Sequence, residues 1–142
     1  MTTPFKASVC SLNVRGLNQA QKRRQLFRWL HNYKFDVIFL QDTYSTQNVT
    51  AIWKSEWGGN IIYSHGTNRS IGVAILFNPK LDVCIGGSEA DNNGRYLLLE
   101  ASIFESTFLF CNIYSPNYNK SQNNSSQSSV TVSGGTLICK LL

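Results

Sequence analysis

Residues 5–12 alternate loosely between apolar and polar side chains, which predicts a strand, and the run Asn13-Val14-Arg15-Gly16-Leu17-Asn18 closes it as a polar turn. A helix is expected next. Asn18 is placed to cap it with Gln21 as the capping-box partner, and Leu26, Phe27, Leu30 and Tyr33 then recur on one face. Lys22, Arg23, Arg24 and Arg28 fall on the opposite face, where a charged stripe is normally solvated. Residues 35–40 form a short, nearly continuous apolar run, the mark of a strand covered on both sides, ending at Gln41-Asp42-Thr43. Strand, helix, strand in this order implies a right-handed crossover between two parallel neighbours.

The rhythm then changes. Trp53 and Trp57, one helical turn apart, read as a helix face packed on the core. From 61 onward the pattern is of strands alone, at 61–64, 71–77, 82–85, 96–103 and 107–114, separated by Asn-Pro, Gly-Gly and Asn-Asn-Gly, and it reads as an antiparallel meander. The class is therefore α/β, or layered α+β. Past Pro116 the segment 118–135, rich in Asn, Gln and Ser, buries too little apolar surface to offset its ordering entropy and is expected to be disordered. The last apolar stretch, 136–142, is either one more strand or a free tail.

Composition narrows the picture. At 142 residues, 42% of them hydrophobic and 12% aromatic, the chain suits one globular domain. No apolar run approaches a membrane span, and the first residues lack a secretory pattern, so an intracellular location, nuclear or cytoplasmic, is expected. Cys10, Cys84, Cys111 and Cys139 are far apart without a C-x-x-C pair and read as buried free thiols. The net charge of +5 favours polyanionic partners.

Two residues stand where chemistry is expected. Asn13 ends the first strand and Asp42 the next parallel one, and the loops at such strand ends open into one crevice, where ligands of open α/β sheets bind. Their oxygens suit a hard cation such as Mg²⁺. On pattern alone a plainer role suits them better, Asn13 stabilising a turn and Asp42 capping a backbone segment, because one acid and one amide underdetermine a metal site.

Four stretches carry a resemblance, in order and spacing: Ser11-Leu12-Asn13-Val14-Arg15-Gly16-Leu17-Asn18, Phe39-Leu40-Gln41-Asp42-Thr43-Tyr44, Gly72-Val73-Ala74-Ile75-Leu76-Phe77 and Asn112-Ile113-Tyr114-Ser115-Pro116-Asn117. They resemble successive motifs of the endonuclease/exonuclease/phosphatase superfamily, in particular the apurinic-site-type endonuclease domain of LINE-type non-LTR retrotransposons. Gly94-Arg95-Tyr96-Leu97 falls where that family has a similar element. The resemblance spans about residues 8–117 and implies the N-terminal half of a four-layer sandwich of two mixed sheets flanked by helices. It also implies a Mg²⁺-dependent phosphodiesterase acting on DNA, with Asp42 as metal ligand and Asn13, Tyr114 and Asn117 as catalytic residues around the metal and scissile phosphate. Arg15, Arg69 and Ser70 are the residues expected to approach substrate.

Two departures follow from the comparison. Position 42 is glutamate in the family, one methylene longer. Family members also continue with Gly-Asp-Phe-Asn and Ser-Asp-His motifs, and this sequence has no Asp, Glu or His after Glu105. Thr136-Leu137-Ile138-Cys139 resembles the strand that leads into the first of them. The chain as it stands is therefore expected to lack activity. The rival readings are a non-catalytic nucleic-acid-binding module and a translated fragment without function. His31, at a helix end, and His65, in a loop, do not replace the missing groups by pattern. A last expectation concerns association: Leu97, Leu99, Phe108 and Phe110 line one face of their strands, which the family packs on the absent half, so an uncovered sheet face should drive self-association.

Overall fold

The computed structural model describes residues 7–114 and the backbone of 136–141. Strand β1 (Val9–Asn13) leads into helix α1 (Ala20–Tyr33), which returns the chain to β2 (Val37–Gln41). β1 and β2 pair in parallel, Val9 opposite Val37 and Asn13 opposite Gln41, as the pattern predicted. A single 3-10 turn (Gln47–Val49) precedes α2 (Thr50–Trp57), then β3 (Ile61–Ser64) and β4 (Val73–Phe77). β4 inserts between β2 and β3, antiparallel to both, completing a sheet of order β1-β2-β4-β3.

β5 (Val83–Ala90), β6 (Tyr96–Ile103), β7 (Ser106–Ile113) and β8 (Thr136–Leu141) form a second, wholly antiparallel sheet in sequential order. The expected single meander is thus divided, since its first two strands belong to the first sheet. The apolar end of the chain, open between strand and tail in the sequence, is a strand paired along β7.

Alternation across β2 and β4 explains the layers. Ile38, Leu40, Ala74 and Leu76 face the helices, meeting Phe27, Leu30, Trp53 and Trp57. Val37, Phe39, Val73, Ile75 and Phe77 face the other way, against Leu97, Leu99, Ala101, Ile103, Phe108 and Phe110 of the second sheet. Every residue of β2 and β4 is buried, which requires apolar side chains on both faces and accounts for the unbroken runs. The architecture is a mixed α/β sandwich, helices on sheet on sheet.

This corrects the expectation of an uncovered face. Leu97, Leu99 and Phe110 are completely buried and Phe108 nearly so, because the first sheet of the same chain covers them. Phe110 packs 5.8 Å from Phe39 and 5.9 Å from Phe77, ring centre to ring centre. The alternation of the strands is as expected and the cover differs, since periodicity identifies an apolar face without saying what lies on it. The premise for self-association through those four residues falls. The opposite face of the second sheet, with Tyr96, Leu98, Cys111 and Ile113, borders a largely apolar hollow of about 450 Å³.

Smaller corrections concern α1 and the cysteines. The helix begins after Gln19, and Asn18 makes no cap. Its side-chain amide donates to the carbonyls of Tyr44 and Asn68, tying three loops together at 3.1 and 3.2 Å. Tyr33, expected on the buried face, is 62% exposed. Arg23, expected in solvent, is 5% exposed. Cys10 is half-buried and Cys111 buried, but Cys84 is exposed, because its apolar neighbours in β5 alternate away from it. No described helix is long and apolar enough to cross a membrane.

A candidate active site at one edge of the sheets

Because β1 and β2 are parallel, their carboxyl ends leave the sheet at the same edge, bringing the loops that carry Asn13 and Asp42 together. β4 starts and β3 ends at this edge, with Val73 opposite both Gln41 and Ser64. Three backbone bonds join the first two loops: the N–H groups of Val14, Gly16 and Leu17 donate to the carbonyls of Gln41, Asp42 and Thr43. Gly16 has φ +87°, and a Cβ there would collide with the Tyr44 ring, so the close approach of these loops requires glycine.

Both candidate ligands already serve the backbone. Asn13 is exposed and its Oδ1 accepts a long 3.3 Å bond from the Arg15 N–H. Asp42, at φ +61°, accepts the Ile71 N–H on Oδ1 at 3.1 Å and so pins the loop before β4. The plainer role is therefore present. These oxygens still match a hard cation, since Mg²⁺ keeps several waters and commonly takes one or two carboxylates together with substrate phosphate. Among the described residues no trio of His, Cys, Asp or Glu gathers at one point, so any ion here rests on few protein ligands.

The second sheet reaches the same edge. Gly72 donates its N–H to the Gly94 carbonyl at 3.0 Å, and Tyr114 donates its own to the Arg95 carbonyl at 2.6 Å. Gly94, at φ +74°, would meet the His65 carbonyl oxygen at 2.6 Å if it carried a Cβ. Tyr114 is half-buried against the core between the sheets. Of the expected substrate-binding residues, Arg15 and Arg69 are exposed on loops that Asn18 links. Ser70 turns its hydroxyl to Thr67, 2.9 Å away, within its own loop. Asn117 lies outside the described residues.

Sequence reasoning gave no role to the groups that hold this edge together. Asn112, fully buried in β7, donates Nδ2 to the carbonyls of Leu40 and Ala74 at 3.0 and 2.8 Å and accepts Gln41 Nε2 at 2.8 Å. Gln41 also donates to Ser11 Oγ at 3.0 Å. This amide bridge fastens the two sheets just beneath Asp42. The signal for it was an amide inside each of two apolar strands, since buried polar groups must find partners.

The loop carrying Asn13 is also gripped from the helix. Lys22 Nζ donates to the carbonyls of Val14 and Arg15 at 2.6 and 3.2 Å, and Arg23 Nη1 to those of Leu17 and Asn18 at 2.8 and 3.3 Å. Arg23 also binds Glu56 through Nε and Nη2 at 2.6 and 2.9 Å, and that hydrogen bond holds the Glu56 carboxyl below its ordinary range. His65 Nδ1 lies 3.0 Å from Ser45 Oγ, and burial pushes its imidazole below the usual value. His31 instead stacks on Trp57 at 4.1 Å, remote from this edge.

Comparison with known proteins bears on the family and the fold. The sequence profile of the Endonuclease/Exonuclease/phosphatase family matches residues 10–124. A Xenopus laevis protein described as the Transposon TX1 uncharacterized 149 kDa protein is 29% identical over 109 residues, 77% of this chain and 8% of that protein. Among solved structures, Danio rerio TDP2 complexed with single strand DNA product superposes with a TM-score of 0.61 at 19% identity, over 81% of this chain and 48% of that one. A mannosyl-6-phosphatase from Bacteroides thetaiotaomicron gives 0.60 at 16% identity, over 81% of this chain and 54% of that one. The chain thus spans about half the length of these structures, and the likeness to them shows the fold.

Proposed function

The chain belongs to the endonuclease/exonuclease/phosphatase family, and from that premise we propose that it forms the metal- and phosphate-binding half of a retrotransposon-type DNA endonuclease. The observation that carries this reading is the parallel register setting Asn13 opposite Gln41, beside Asp42, at an edge that Tyr114 also reaches. The likeness to a transposon protein and to a structure bound to single-strand DNA supports the choice of substrate.

Divalent metal ions are general in this family. When bound, such an ion supplies Lewis-acid stabilisation to a reacting phosphodiester, and Mg²⁺ is the ion that oxygen donors favour. Asp42 offers Oδ2, since Oδ1 holds the Ile71 N–H, and the Asn13 amide lies on the neighbouring strand end. Arg15 and Arg69 place positive charge on the rim, and Tyr114 stands on the phosphate side of the pocket in this reading. Aspartate reaches less far than the family's glutamate would, so metal binding is expected to be weak.

Cleavage also needs a water-activating acid and a group that stabilises charge. No acid or histidine follows Glu105 in these 142 residues. The chain by itself should therefore bind metal and phosphate weakly and not hydrolyse DNA. Titrating the ¹⁵N-labelled chain with Mn²⁺ tests the first half: selective broadening of the Asn13, Arg15 and Asp42 amides is expected, and its loss in Asp42→Ala. Uniform broadening insensitive to that substitution would remove the metal proposal. In the same preparation, magnesium-dependent plasmid nicking above an Asp42→Ala control would refute the inactivity.

A further inference from the structure

Helix α1 contains no acidic residue, and the structure separates its four basic side chains into two pairs. Lys22 and Arg23 turn back to the loop carbonyls, while Arg24 and Arg28, four residues apart and about 6 Å along the axis, point outward. Arg24 keeps one long contact, 3.7 Å to Glu56, and among the described residues Arg28 forms no ion pair.

Across the exposed face of the helix, about 100° round from Arg28 for Trp29 and about 140° for Tyr33, lies an aromatic patch. Trp29, 41% exposed, meets Tyr33, 62% exposed, at 4.7 Å between ring centres, and Tyr33 lies nearly parallel to Phe35 at 6.1 Å. Large exposed aromatics are costly to leave in water without a use. Between the basic side and this patch lie Gln21, Gln25 and Asn32, all exposed amides. Lys34 follows directly, and with Lys80 and His31 lines a hollow of about 470 Å³. The nearby carboxylate, Asp36, is occupied by the N–H and hydroxyl of Ser8.

We propose that the outer face of α1 binds single-stranded nucleic acid, phosphates along Arg24 and Arg28 and bases stacked on Trp29 and Tyr33. A cationic border and an aromatic border flanking one exposed face, with amides between them, is an arrangement that sequence-tolerant single-strand binding can use. A helix with no acidic residue, in a chain of net charge +5, favours a polyanionic partner. The platform lies roughly 14 to 20 Å along the helix from its start beside the candidate active site, so this surface is separate from that edge. It requires neither metal nor catalysis, so it stands or falls apart from the site reading.

The test is fluorescence anisotropy of labelled oligothymidine with the full chain in EDTA, which silences any metal-dependent binding at the sheet edge. Trp29→Ala with Tyr33→Ala should weaken binding by about tenfold or more. Arg28→Glu should weaken it and lower the salt slope by about one, while Arg28→Lys retains it. Ile52→Ala, at an exposed apolar position on α2, should leave it unchanged. Because Trp53 and Trp57 are buried, quenching by the oligonucleotide should vanish with Trp29→Phe. No binding by the wild type, or unaltered affinity in the folded Trp29/Tyr33 variant, overturns the proposal. So does loss of binding on Arg69→Ala alone, or a concentration-dependent dimer that those aromatic substitutions abolish while oligonucleotide binding does not respond.

Discussion

Replacing Asn112 by alanine removes a side chain that is fully buried and makes three hydrogen bonds of 2.8 to 3.0 Å, two to carbonyls of the first sheet and one from Gln41. A typical intramolecular hydrogen bond contributes about 1 kcal/mol net, and a buried group left unpaired costs about 1 to 3 kcal/mol. Gln41 keeps Ser11 as a partner, so its loss is partial. The expected destabilisation is about 3 kcal/mol, a large part of the whole stability of a small domain. Asn112→Asp should cost more without creating a cavity, because it sets carboxylate oxygens against the Leu40 and Ala74 carbonyls. Urea unfolding followed by circular dichroism measures the change as a shifted midpoint at constant slope. Ser102→Ala is the control: its hydroxyl bond to Thr107 is only partly buried and should be worth less than about 1 kcal/mol. If Asn112→Ala costs no more than that control, the amide bridge does not hold the sheets together. Beyond stability, the substitution should broaden the Asp42–Ser45 and Arg95 amides in NMR spectra, since the bridge lies beneath that edge.

Other outcomes follow from the same geometry. Arg23→Ala leaves Glu56 only its 3.7 Å contact with Arg24 and frees the Leu17 and Asn18 carbonyls, and should cost about 2 to 3 kcal/mol in a chemical melt, whereas Arg23→Met with Glu56→Leu recovers much of the loss. Glu56 has a lowered folded-state pKa, so its stabilisation is complete above the unfolded carboxyl value and is lost as pH falls through the folded one; Glu56→Gln should flatten that part of the acid limb. For His65, burial disfavours the charged form, so the unfolded chain binds its proton first; stability should fall as pH drops below the ordinary histidine range, and ¹H NMR titration should show His65 protonating at a lower pH than a model imidazole. Gly16→Ala forces a Cβ onto Tyr44 at φ +87° and should destabilise by more than about 1 kcal/mol, a value a thermal melt can contradict.

Local pattern alone determined much of this protein. The parallel β1–α1–β2 unit was legible because strand and helix periods differ and because a short crossover permits few arrangements. The burial of Trp53 and Trp57, the division of β6 and β7 into inner and outer faces, and the placing of Asn13 and Asp42 at strand ends follow from the same periodicities. The tertiary structure decided the rest, since long-range pairing leaves little trace in a local window. It chose which sheet β3 and β4 join, and it set the chain's own first sheet against Leu97, Leu99, Phe108 and Phe110. A basic stripe looks uniform in sequence, yet Arg23 is buried because Glu56 and two loop carbonyls surround it, while Arg28 remains in solvent. Gln41 and Asn112 stand 71 residues apart, and only the approach of two sheets makes them partners. Charge and hydrogen-bonding capacity belong to the residue, and the fold decides whether water or another residue satisfies them.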